Sequence, residues 1–148
     1  MSIFWILLIV IIIISYIITQ KDKNKIDDIL KSLALENNGQ IKKVFGYYSQ
    51  LMISYKDIDI LISSLSSNGD RPPQTFAQFS LPNSKKIEID KSMEEEIKLL
   101  YKNYAIKIDI DDMNIFNITI YAILTDKQEY ENLYNMCKSF YDKIISIK

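Results

Sequence analysis

The stretch that decides the fold is residues 49–65, which read SQLMISYKDIDILISSL. Two runs with alternating apolar side chains flank the polar pair Lys56-Asp57, and Ile58, Ile60 and Ile62 share one face of the second run. Two such runs joined by a two-residue turn are typical of a β-hairpin, because successive side chains of a strand point to opposite faces. The stretch therefore predicts a pair of antiparallel strands.

The β pattern continues on both sides of this hairpin. Residues 40–48 are rich in Ile, Val, Phe and Tyr, residues 75–81 alternate, and residues 86–90 place Ile87 and Ile89 on one face. Further on, residues 106–110 alternate Ile with charged side chains, and residues 115–124 return as a strand of the same kind after a turn at residues 112–114. We expect five or six strands joined mostly by short turns.

Three segments have helical periodicity. Residues 25–37 place Ile26, Ile29, Leu30 and Leu33 on one stripe and end at the C-cap signal Asn38-Gly39. A second helix is predicted to begin at Ser92, which forms a capping-box pattern with Glu95, and a third to begin after Asp126. Contiguous strands with few helices favour an α+β domain, in which a mainly antiparallel sheet packs about three helices on one face, over a doubly wound parallel sheet.

The N-terminal segment has the composition of a membrane span. Residues 3–18 read IFWILLIVIIIISYII, and no charged side chain precedes Lys21. At 1.5 Å per residue, about 20 helical residues match the roughly 30 Å hydrocarbon core of a bilayer. Trp5 and Tyr16 lie near its two ends, where amphipathic rings prefer the membrane interface. We therefore divide the chain into a transmembrane anchor, residues 1–20, and a soluble α+β domain, residues 21–148.

Lysines directly after the span predict its orientation. Lys21, Lys23 and Lys25 follow the apolar run at once, and the positive-inside rule places such a flank in the cytoplasm. The run lacks the basic start and small-residue exit of a cleavable signal peptide, so an uncleaved single-pass anchor is favoured. An exported, envelope-facing domain remains the alternative. In that setting Asn117 would begin a glycosylation sequon, although it lies inside a predicted strand.

Composition and charge exclude several classes of function. The chain of 148 residues has 18 Lys and Arg, 19 Asp and Glu, no His and one Cys, with a formal net charge of −1. The absence of His excludes mechanisms that need an imidazole base or ligand, and one thiol cannot form an internal disulfide or a Cys-based zinc site. Near-neutral charge with a single Arg argues against nucleic acid as a partner. No glycine-rich phosphate-binding loop is present, and we expect no cofactor.

Residues that could support catalysis are few, and each has a simpler structural interpretation. Asp109, Asp111 and Asp112 are the best candidate ligands for a hard cation, but they also fit a solvated strand face. The run from Glu94 to Glu96 fits the first turn of a helix, where the helix dipole favours negative charge. Cys137 lies on the apolar side of the predicted C-terminal helix, as a buried structural cysteine would.

The loop at residues 66–74 is the most distinctive surface feature. It holds Asn68, Asp70, Arg71, Pro72 and Pro73, including the only arginine of the chain. Loops carried by a rigid sheet often mediate recognition, and a guanidinium group can bind a carboxylate of a partner. The alternative is a plain connection between two strands.

The sequence therefore favours a membrane-anchored protein whose domain binds a partner without catalysing a reaction. The expected partners are the lipid bilayer and a protein. Two alternatives stay open: a metal-dependent enzyme that uses the acids at residues 109–112, and an exported domain of the same architecture.

Overall fold

A computed structural model describes residues 3–44, 48–67, 70–82 and 89–146. Three helices and six strands lie within these residues. The helices are α1 (Ile3–Glu36), α2 (Lys91–Leu100) and α3 (Lys127–Ser146). The strands are β1 (Gln40–Lys42), β2 (Gln50–Tyr55), β3 (Ile58–Leu65), β4 (Gln74–Ser80), β5 (Ile106–Ile110) and β6 (Ile115–Ile120).

The six strands form one sheet in the order β1-β2-β3-β4-β6-β5, and every neighbouring pair is antiparallel. The predicted hairpin at residues 49–65 is confirmed: β2 pairs with β3 across Lys56-Asp57, and Lys56 has a left-handed backbone with φ 54°. A positive φ is what a two-residue turn requires to match the twist of its strands. The molecule therefore has the α+β class that the alternating pattern predicts.

One face of the sheet forms the core. Its side chains follow the register, since Leu51 pairs with Ile62, Ile62 with Ala77, and Ala77 with Ile118. The rings of Phe79 and Phe116 stack on this face with their centroids 4.9 Å apart. The buried side chains of all three helices belong to the same apolar cluster as these strand residues. The opposite face is more polar; on it, the Gln78 amide nitrogen donates to the Asn117 amide oxygen at 2.7 Å.

Helix α1 joins the apolar N-terminal segment to the core without a break. Its side chains are exposed from Ile3 to Thr19, whereas Ile26, Leu30, Leu33 and Ala34 are buried. The polar segment at residues 19–25 is therefore part of the helix. With 34 residues, α1 is about 50 Å long, and it is the one helix in the described part of the chain that is long and apolar enough to cross a membrane.

The ends of the helices agree only in part with the predicted caps. At the end of α1, Asn38 has φ 52° and the Gly39 amide donates to the Ala34 carbonyl at 2.7 Å, the pattern of a Schellman C-cap. Helix α2, however, begins at Lys91 with Asp90 as N-cap, so the prediction of a start at Ser92 is wrong. The reason is local: the Asp90 carboxylate accepts both the amide and the hydroxyl of Ser92.

Some predicted strands end earlier or fall outside the described residues. The strand after β5 ends at Ile120 and not at residue 124. Beyond it, the Thr75 hydroxyl donates to the Ala122 carbonyl at 2.9 Å and accepts the Leu124 amide at 3.1 Å, which replaces sheet pairing. The first predicted strand, residues 40–48, ends at Lys42, because Lys43 and Val44 are described and belong to no strand; residues 45–47 lie outside the described ranges. Most of the strand predicted at residues 86–90 lies within residues 83–88, which are also outside them.

Candidate functional site

The three acids proposed as cation ligands have separate surroundings. The Asp109 carboxylate lies 3.4 Å from the Lys107 ammonium group, and Asp112 is exposed. Asp111 accepts the amides of Met113 and Ile115, both at 2.9 Å, so its carboxylate closes the turn between β5 and β6. Within the described ranges, no group of three or more Asp, Glu, Cys or His side chains is placed to hold a metal ion.

The glutamates of α2 point to different partners. Glu94 forms an ion pair with Lys98 one helical turn later at 3.1 Å, and Glu96 forms one with Lys143 of α3 at 2.6 Å. Glu95 is exposed. These contacts stabilise the helix surface and its packing on α3, and they do not bring two carboxylates together for acid and base chemistry.

Cys137 and a set of buried hydroxyl groups belong to the core. Burial raises the pKa of the Cys137 thiol to about 12, which keeps it protonated at neutral pH. The Ser64 hydroxyl lies 3.0 Å from the Thr75 hydroxyl and 2.7 Å from the Tyr130 hydroxyl. Burial also raises the pKa of Tyr130 to about 12. Because these hydroxyl groups bond to one another, they connect β3, β4 and α3 and do not form an open polar site.

The loop at residues 66–74 leaves the sheet at the end where α1 enters the domain. Asp70, Arg71 and Pro72 are exposed and Pro73 is half-buried, while Asn68 lies outside the described residues. The Ser67 hydroxyl donates to the Arg71 carbonyl at 3.1 Å, which tightens the loop. Next to this end, the Tyr48 amide donates to the Ser64 carbonyl at 3.1 Å. The neighbouring Ser49 amide donates to the Asp27 carboxylate of α1 at 2.9 Å, so the described part of the loop lies at the end of the sheet where α1 enters the domain.

The residues predicted to lie at the membrane interface are all on α1, and their side chains are exposed. The exposed fractions of Trp5 and Tyr16 are 55% and 65%. Lys21, Lys23 and Lys25 are exposed on the next turns of the same helix. The assignment of these five residues to a membrane interface stays a prediction.

A groove that the sequence does not reveal lies between α2 and β5. Its volume is about 230 Å³. Ile97, Ile106 and Ile108 line it together with Glu94, Lys98 and the backbone of β5 at Lys107. The isoleucines of β5 are only half-buried, in contrast to Ile118 and Ile120 of β6, because α2 covers the outermost strand incompletely.

The groove runs beside an open sheet edge. At the two ends of β5, the carbonyl of Ala105 accepts the Tyr121 amide and the amide of Asp111 donates to the Ile115 carbonyl. In an antiparallel pair, every second residue forms backbone hydrogen bonds with the neighbouring strand, and the residues between them direct their backbone N–H and C=O groups to the other side. Since Ala105 and Asp111 bond on the side of β6, Ile106, Ile108 and Ile110 direct these groups away from β6. In the described part of the chain, no other strand pairs with this edge. An edge of this kind can accept one more strand.

Comparisons with known proteins add no family: no family model, no curated protein and no solved structure matches the chain. The sequence could indicate that residues 106–110 form a strand, but only the strand order identifies that strand as an edge.

Proposed function

We propose that this chain is a single-pass membrane protein whose α+β domain is a non-catalytic binding module at the membrane surface. The location is supported by α1, in which exposed apolar side chains continue directly into buried core positions such as Ile26 and Leu30. Because one helix serves both as anchor and as core element, it would hold the domain close to the bilayer in a defined orientation. The lysines after the span favour the cytoplasmic side.

The observation that carries the binding role is the open edge of β5 beside the apolar groove. An extended segment of a partner protein can pair with the outward backbone groups of Ile106, Ile108 and Ile110, while its alternate side chains enter the groove. Glu94 and Lys98 at the rim then select the charge of the partner's flanking residues. Lys107 and Asp109 also make the edge charged on its other face, which limits unspecific pairing between copies.

Site-specific crosslinking in native membranes tests the binding role. A photoreactive amino acid at Lys98 or Lys107 should capture the partner, whereas one at Lys102, which is exposed outside the groove, should not. Ile108→Pro in a chain with the crosslinker at Lys98 should abolish capture, because it removes an outward N–H group and no bond to β6. Capture at Arg71 but not at Lys98 or Lys107 would assign recognition to the loop at residues 66–74 instead.

Cysteine labelling tests the location and orientation. Because Cys137 is fully buried, a single Lys102→Cys substitution supplies the reactive thiol. We expect the protein to stay in the membrane after alkaline carbonate extraction. A membrane-impermeant maleimide should label the introduced thiol only after cell lysis, and the unsubstituted protein should stay unlabelled until it is denatured. Labelling in intact cells would support the exported alternative.

A further inference from the structure

A small cavity lies where α1 passes from its apolar half into the domain. Its volume is about 90 Å³, and it is lined by Lys23, Asp27, Lys43, Val44 and Ser49. Pockets for whole small molecules are usually about 300–1,000 Å³, so this cavity has room for one compact polar group only. The size points to a single ionic group and not to a complete cofactor.

The lining combines positive charge with an unused polar atom. Lys23 and Lys43 are exposed, and neither forms an ion pair with a described residue. Ser49 is 3% exposed, and its hydroxyl has no hydrogen-bond partner among the described residues. Buried polar atoms without a partner are rare in folded proteins, and they often indicate a bound water, ion or ligand. The combination of two ammonium groups and a hydroxyl suits an anion.

Asp27 has a structural role at this position. Its carboxylate accepts the Ser49 amide at 2.9 Å, which fixes the start of β2 against α1. Among the lining side chains, one carboxylate stands against two ammonium groups, so their summed charge is positive. Because neither Lys23 nor Lys43 forms an ion pair with Asp27 or another described residue, both ammonium groups remain available to an outside anion.

The height of the cavity along α1 identifies the source of that anion. Lys23 lies three residues after Gln20, where the proposed anchor ends, which corresponds to about 5 Å along the helix. Phosphates of lipid headgroups occupy this depth, and anionic lipids attract lysines placed next to a span. We propose that Lys23, Lys43 and Ser49 bind the phosphate of an anionic lipid headgroup, a site that rests on the membrane anchoring proposed above.

Lipid retention by the full chain tests this site. The protein is reconstituted into phosphatidylcholine nanodiscs with graded phosphatidylglycerol, and the retained phosphatidylglycerol is counted by native mass spectrometry. Lys23→Gln with Lys43→Gln should weaken retention about 30-fold, since one lysine near an anionic surface corresponds to about 5-fold. The matched control is Lys31→Gln with Lys42→Gln, which removes the same charge outside the cavity and should retain the lipid as the wild type does.

Ser49→Ala separates a binding role from a structural one. Loss of the hydroxyl should weaken lipid retention about tenfold, because hydrogen bonds to charged groups are strong. The same substitution should raise the urea midpoint of the lipid-free protein, because it removes a buried polar atom that has no partner. A raised midpoint with unchanged lipid retention would overturn the role of Ser49 in binding.

Further results of these experiments would also overturn the proposal. Displacement of phosphatidylglycerol by millimolar inorganic phosphate would assign the cavity to free phosphate. If the cavity variant and its control lost the same amount of bound phosphatidylglycerol, the loss would reflect general surface charge and not binding at the cavity. Release of the wild-type chain by alkaline carbonate would overturn the membrane function as well, whereas firm anchoring with equal lipid retention in all variants would overturn the phosphate site alone.

Discussion

At the residue scale, Gly39 allows α1 and the sheet to lie close together, because it has no Cβ atom. A Cβ atom at this position would lie 2.8 Å from Cγ1 of Ile53 and 2.9 Å from the carbonyl oxygen of Met52. The second contact is with backbone, which cannot rotate away as the end of a side chain can. The residue before it, Asn38, takes the left-handed conformation that ends the helix. Asn38 therefore ends the helix, whereas Gly39 leaves room for the contact with β2.

Gly39→Ala should destabilise the domain by about 1–3 kcal/mol, because the added methyl group forces α1 and β2 apart. The measurement is urea unfolding of the protein in detergent, followed by tyrosine fluorescence. Asn38→Gly is the control, since glycine accepts a positive φ and the change should amount to about 1 kcal/mol or less. Equal stability of Gly39→Ala and wild type would mean that α1 and β2 are less closely packed than described.

At the element scale, α1 has two halves in different surroundings. Leu33 is 1% exposed and packs in the core, whereas Leu35, two residues later, is 84% exposed. The helix thus keeps one surface against the sheet, whereas the side chains of its N-terminal half are exposed from Ile3 to Thr19. Lys127 at the start of α3 fixes the C-terminal end of α1 through an ion pair with Glu36 at 2.5 Å.

Leu33→Ala should cost about 2–5 kcal/mol of unfolding free energy, because it removes buried methyl groups and leaves a cavity. Leu35→Ala removes the same atoms from an exposed position of the same helix, and its effect should stay within about 0.5 kcal/mol. Both values come from urea denaturation monitored by circular dichroism of the domain. Similar costs for the two variants would contradict the assignment of the buried face of α1.

At the scale of the whole molecule, α3 connects distant elements through polar contacts at its C-terminal end. The Asp142 carboxylate accepts the Lys56 ammonium group at 2.6 Å and the Tyr55 hydroxyl at 2.8 Å. The Tyr141 hydroxyl donates to Asp57. These bonds hold the turn between β2 and β3 against the helix layer. The hydrogen bonds from Lys56 and Tyr55 lower the pKa of Asp142, and the bond from Tyr141 lowers the pKa of Asp57.

The lowered pKa values predict a loss of stability in acid. A carboxyl group with a depressed folded-state pKa stabilises the fold above its unfolded value, about 3.9 for Asp, and this contribution is lost as the pH falls through the folded-state pKa. Asp142→Asn should therefore lower the urea midpoint at pH 7 and make its decline below about pH 4 less steep. The control is Asp112→Asn at an exposed position, which should leave the urea midpoint at pH 7 unchanged. If the urea midpoint of Asp142→Asn declined in acid as steeply as that of the wild type, other carboxylates would account for the acid sensitivity.

Part of this architecture could be predicted from local sequence patterns. Alternation in residues 49–65 and 106–110 identifies strands, and the spacing of Ile26, Leu30 and Leu33 identifies a helix. The uncharged apolar run identifies a segment long and apolar enough to cross a membrane, because each of these patterns follows from the geometry of one element. The cap of α2 was misassigned because Asp90 and Ser92 are both good N-cap residues, and their local contacts decide between them.

The candidate sites depend on contacts between residues far apart in the chain. The sequence by itself determined the types of the elements, the α+β class and a segment able to span a membrane. Only the tertiary structure decided that β5 is an edge strand beside α2, and that Lys23 meets Lys43 and Ser49 at one cavity. The physical reason is that strand order and helix packing depend on burial of the whole apolar face, which no short segment encodes.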